Sequence, residues 1–93
     1  MEEKIRTLHP DGKQGVNISR QKYNQIKSFI LEIISCRGTV SYRELNAIAK
    51  AQLGKVFDGS VSWYIVTVKL DLEARGVLKR IRQKSGHALQ LTE

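Results

Sequence analysis

Apolar side chains return at three- and four-residue steps through the middle of this chain, the spacing that lines one face of a helix. Tyr23, Ile26, Ile30, Ile33 and Ile34 make one such stripe, Leu45, Ile48, Ala49 and Leu53 a second, and Val61, Ile65, Val68 and Leu72 a third. Each stripe has a start signal and a stop signal. Ser19 can cap the first helix, with Ile18 before it and Tyr23 inside it as a hydrophobic staple. Ser41-Tyr42-Arg43-Glu44 reads as a capping box, in which the serine accepts a first-turn N–H and the Glu44 carboxylate reaches back to the cap. Asp58-Gly59-Ser60 offers the third cap. Gly38, Gly54 and Gly76 follow the three runs, and glycine takes the left-handed conformation that closes a helix. The pattern predicts helices over Ser19 to Cys36, Ser41 to Leu53 and Ser60 to Arg75. The third is crowded with β-branched residues, so a strand over Val61 to Val68 is its alternative.

After Gly76 the period changes. Val77-Leu78-Lys79-Arg80-Ile81-Arg82 and His87-Ala88-Leu89-Gln90-Leu91-Thr92 flank Lys84-Ser85-Gly86, a hairpin signal. Leu89 and Leu91 share a face, but Val77 and Ile81 share theirs with Lys79, which predicts an irregularity or a strand exposed on one side. Residues 1–18, with the turn His9-Pro10-Asp11-Gly12, read as an extended arm, and residues 19–93 as one domain. Three helices followed by a hairpin, with Thr39-Val40 able to add a third strand, predict an α+β winged helix. Its second and third helices form the helix-turn-helix, joined by a Lys55-to-Gly59 connection longer than the tightest versions.

Ser62-Trp63-Tyr64, Val68-Lys69-Leu70-Asp71-Leu72-Glu73-Ala74-Arg75-Gly76, the leading Thr7-Leu8-His9-Pro10-Asp11 and Val16-Asn17-Ile18 together resemble an uncharacterised family of small bacterial proteins. The resemblance covers nearly the whole chain. It implies the fold and gives no function, because that family carries no assigned activity.

The 93 residues, 41% of them hydrophobic, suffice for one core. Sixteen Lys and Arg against nine Asp and Glu leave a formal charge of +7, a balance that favours polyanionic partners. One cysteine, Cys36, excludes an internal disulfide and fits the reducing cytoplasm; it reads as a small, partly buried residue. No apolar run has the length of a signal peptide or a membrane span. Catalysis has no evident foothold: His9 and His87 fall in different elements, no metal-ligand spacing occurs, and Gly12 and Gly15 are not followed by a phosphate-loop lysine. No cofactor or small-molecule ligand is expected.

The expected activity is therefore binding, with duplex DNA as the leading partner. Lys79, Arg80, Arg82 and Lys84 fall within six residues that contain no acid, on a hairpin suited to straddling phosphates. The plainer reading is a set of charges guarding an exposed strand edge. Ser60, Ser62, Trp63 and Thr67 would face the major groove, a neutral set where base-reading helices usually carry Arg, Asn, Gln or Lys. Opposite the inward stripe, Trp63, Val66 and Leu70 form a second apolar line. Three readings compete for it: the arm lies over it through Ile5, Leu8, Val16 and Ile18, a protein partner or a second subunit covers it, or it touches thymine methyls and sugars. The alternative function is accordingly a protein-interaction module or homodimer built on that line. Asp71 with Arg75, and Lys69 with Glu73, read as helix-surface pairs without a role.

Overall fold

Serine hydroxyls start each of the three helices among the described residues. The computed structural model describes residues 3–13, 15–57, 59–84 and 86–92; the predicted contributions of Asp58 to a cap and Ser85 to a turn lie outside them. Helix α1 spans Arg20–Arg37, and the Ser19 hydroxyl accepts the Lys22 N–H. Helix α2 spans Tyr42–Leu53, where Ser41 accepts the Glu44 N–H at 3.1 Å. Helix α3 spans Val61–Ala74, with Ser60 accepting the Trp63 N–H. Val61 to Val68 is thus helical and not a strand, because only the 3.6-residue period puts Val61, Ile65, Val68 and Leu72 on one buried line. The capping box is half made. Glu44 turns its carboxylate to the Arg37 guanidinium, a full opposite charge, instead of back to the cap.

The helix ends differ from the expected uniform pattern. Gly38 and Gly76 have φ of 80° and 78°, the left-handed region. Gly54 has φ −59° and continues right-handed, so its predicted role as a left-handed stop is wrong. There the chain instead carries on through a turn to Phe57, whose N–H donates to the Leu53 carbonyl and whose ring is buried in the core.

Strands β3 (Thr39–Ser41), β4 (Leu78–Gln83) and β5 (Gly86–Leu91) form an antiparallel sheet in the order β3-β5-β4. The β4–β5 register runs unbroken from Leu78 opposite Leu91 to Gln83 opposite Gly86. No irregularity occurs within that register, and beyond the buried Leu78 exposed residues fall on both faces of the strand, Arg80 and Arg82 on one and Lys79 and Gln83 on the other. Side-chain alternation places Leu78, Arg80 and Arg82 on the face shared with Leu91, Leu89 and His87, while Lys79 and Ile81 point the other way.

The segment before α1 is not a plain extended arm. Strands β1 (Lys4–Arg6) and β2 (Asn17–Ser19) pair antiparallel, with Ile5 opposite Ile18. Ile18 enters the core and Ile5 packs against it. Both strands have only three residues, too short for alternation to stand out from a polar loop. The core itself is built from Tyr23, Ile26, Ile30 and Ile34 of α1, Leu45 and Ala49 of α2, the α3 stripe, and Val40, Leu78 and Leu89 of the sheet. Ile33, Ile48 and Leu53, assigned to the inward stripes, are only half-buried. No helix among the described residues is long and apolar enough to cross a membrane.

Burial sets the expected cost of truncation. Ile30→Ala, at a position with no exposed surface, should cost about 2–5 kcal/mol in urea unfolding. Ser41→Ala should cost about 1 kcal/mol through its cap. A loss at Ile30 no larger than that at Ser41 would place the core elsewhere.

Candidate functional site

Two of the positions expected to read base edges, Ser60 and Ser62, are turned to other uses or buried, and a third borders a crevice. Ser60 is the helix cap. The Ser62 hydroxyl is buried and has no hydrogen-bond partner among the described residues, so it does not face a groove. Thr67 borders a crevice between α3 and the N-terminal segment, together with Leu8, Val16, Trp63 and Leu70. Trp63 remains 43% exposed and meets the Tyr64 ring edge-on at 5.0 Å. Val66 and Leu70 are half-buried. Of the four apolar residues expected to cover this side, Ile5 and Ile18 go to the core, and only Leu8 and Val16 reach the crevice. The outer side of α3 is thus partly overlaid by the chain's own N-terminal loop.

One carboxylate holds that loop in place. Asp71 is fully buried; it accepts the Leu8 N–H at 2.8 Å, the Tyr23 hydroxyl, and Arg75 Nε at 3.0 and 2.9 Å. Arg75 also reaches the Arg6 carbonyl. The loop closes on itself at Thr7, whose N–H donates to the Val16 carbonyl and whose hydroxyl accepts the Val16 N–H. Burial, then the hydrogen bond and charge of Asp71, push the Tyr23 phenol up to about 12. Hydrogen bonding to Asp71 raises Arg75 above its usual value. Asp71 and Arg75 are therefore no surface pair but a tie between the loop, α1 and α3.

Lys69 and Glu73 occupy the other flank of α3, and they too are buried rather than superficial. The Lys69 side chain is 2% exposed; its ammonium lies 2.8 Å from Glu73 Oε2, 3.2 Å from His87 Nε2 and 5.3 Å from the Tyr42 ring centroid. Arg80 clamps Glu73 through Nε and Nη2, at 2.9 and 3.3 Å. His87 stacks on Tyr42, 5.5 Å between centroids and 8° from parallel. Burial lowers Lys69 against the pull of Glu73. Burial alone would raise Glu73, but Arg80 and Lys69 outweigh it and hold the carboxyl below its ordinary value. Burial, then the charges of Lys69 and Arg80, lower His87 against the opposing charge of Glu73. With an ammonium donor at Nε2, the neutral ring carries its proton on Nδ1.

The four hairpin cations do not form one patch. Arg80 is committed to Glu73, and Lys79 projects from the opposite face of the sheet. Arg82 and Lys84 are exposed, with no carboxylate partner among the described residues. Near them lies a cleft of about 450 Å³ between the start of α2 and the hairpin, lined by Ser41, Tyr42, Arg43, Asn46, Gln83, Gly86 and His87. Arg43 was missed because the capping signal absorbed its neighbourhood; a basic residue in the first turn of a helix is all that marked it. Cys36 is exposed rather than partly buried.

His87 and Glu73 make stability depend on pH in a definite direction. A histidine lowered in the folded state contributes stability that is present above its ordinary value of 6.5 and lost as pH falls below it. The depressed Glu73 adds a further loss below its ordinary 4.5. Unfolding free energy should thus fall between pH 7 and 5, and His87→Gln should flatten that part of the profile. Parallel profiles for the two proteins would remove His87 from the effect. Asp71→Asn should speed hydrogen exchange at the Leu8 amide more than at core amides of α1, because a neutral amide is a weaker acceptor than a buried carboxylate. Uniform acceleration would mean that Asp71 does not hold the loop in particular.

No curated protein and no solved structure matches the chain. A match to a protein family extends across both flanks of α3, the N-terminal loop and the hairpin, from Lys4 to Leu89. The chain belongs to DUF6958, a family of unknown function, through residues 4–89.

Proposed function

We propose that this chain is a cytoplasmic winged-helix domain that binds duplex DNA through its phosphates, as a binder and not a catalyst. The order of helices and strands supports the winged-helix reading, with β4–β5 as the wing and α2–α3 as the helix-turn-helix. The observation that carries the DNA reading is the cleft between α2 and the wing. Its lining is entirely neutral or basic, and Arg43, Arg82 and Lys84 stand at it or beside it without carboxylate partners among the described residues. Backbone N–H groups at the start of α2 add to the attraction for an anion.

The overlaid side of α3 argues for weak base reading. B-DNA's major groove is about 12 Å wide and accepts a bare helix of about 10–12 Å, not one with a second chain segment across its outer side. Affinity then comes from phosphates released of their counterions, and little sequence preference follows.

Binding of random duplex measured at several salt concentrations tests this. Arg43→Ala and Arg82→Ala should each reduce the log–log salt slope by about one unit, while Lys79→Ala, on the other face of the sheet, should leave it unchanged. Unchanged slopes for Arg43 and Arg82 would remove this cleft, and no binding at low salt would remove DNA.

A further inference from the structure

Four large apolar side chains are exposed among the described residues, and three of them, Leu8, Val16 and Trp63, border one crevice. They are 44%, 39% and 43% exposed, around a hollow of about 170 Å³ walled by Thr67 and the half-buried Leu70. The crevice is a built feature, since Asp71 and Thr7 hold the loop that forms one wall. Beside it, sharing Thr7, Leu8, His9 and Gly15, lies a second hollow of about 380 Å³ that also has Arg6 and Lys13 in its lining. Both cations are exposed and paired with no carboxylate among the described residues. Asp11 is the one acid between them in the chain.

We propose that an acidic amphipathic polypeptide segment docks on this loop–α3 surface, an apolar side chain in the crevice and carboxylates against Arg6 and Lys13. Charge decides between occupants. A second copy on a two-fold axis would set Arg6 and Lys13 of two chains, each of net charge +7, against one another. A nucleic-acid strand finds one aromatic ring for stacking in Trp63 and leaves the aliphatic part of the crevice, Leu8, Val16 and Leu70, without a matching group. An apolar side chain flanked by carboxylates matches both halves of the surface. This site is separate from the α2–wing cleft, and either can fail without the other.

The test uses a fluorescently labelled helical peptide of about four turns, leucines on one face and Asp and Glu on the other, titrated against the full chain by anisotropy. Binding should weaken about tenfold or more when the peptide leucines become serine, and equally when its acids become lysine. In the protein, Leu8→Ser and Lys13→Glu should each cost about tenfold while leaving the salt slope for duplex DNA unchanged; both positions are on the surface, and thermal unfolding verifies the fold. Emission from Trp63, the sole tryptophan, should shift to the blue on peptide addition. The proposal is overturned if the acidic peptide does not bind, or if it binds both variants as it binds the parent. It is equally overturned by a blue shift that follows protein concentration in a dimerising sample, or one that follows a single-stranded oligonucleotide and not the peptide.

Discussion

The Asp71 carboxylate joins parts of the chain that nothing in sequence brings together. It takes one N–H from the N-terminal loop, one hydroxyl from α1 and the guanidinium of Arg75 one turn on along α3. A buried carboxylate is tolerable only when its oxygens are filled, since leaving a charge unpaired in the interior costs several kcal/mol. Asp71 meets that condition with donors from three elements. The position of the loop is therefore coupled to the packing of α1 against α3, and the crevice beside Trp63 inherits its shape from this tie.

Residues two apart on a helix point about 200° from one another, so the series Lys69, Asp71, Glu73, Arg75 divides between two flanks. One flank meets α1 and the loop through Asp71; the other meets α2 and the hairpin through Lys69 and Glu73. With its apolar stripe in the core, α3 is consequently gripped on three sides, and the loop lies over part of the fourth. A helix held in this way organises the structure around it more than it offers a free edge to a ligand. Chemistry at the surface then falls to what flanks it: the cleft at the start of α2, and the loop crevice.

The same arrangement shapes the surface charge. Glu3, Glu44, Asp71 and Glu73 are all taken up by Arg or Lys within the chain, two of them in buried networks. Cations such as Arg43, Arg82 and Lys84 are left facing solvent without carboxylate partners among the described residues. Using acids internally sharpens a net positive charge into local positive surfaces, which is a stronger basis for a polyanion or acidic partner than the overall count.

Sequence alone determined what depends on neighbours within about one turn: the three serine caps, the three inward stripes, the glycines at 38 and 76, the paired runs of the hairpin and the membership of the third strand. Those signals are local, so periodicity and capping chemistry report them directly. Tertiary structure alone decided the rest. Lys69, Asp71 and Glu73 look like solvated helix charges in a linear reading, and only the arrival of His87, Arg80, Tyr23 and the Leu8 amide turns them into buried networks. Likewise the division of the hairpin cations, with Arg80 taken by Glu73 and Lys79 turned away, follows from the register of β4 and the distance to α3. The meaning of a charge depends on what removes water from around it, and for Asp71 that includes a loop amide 63 positions away.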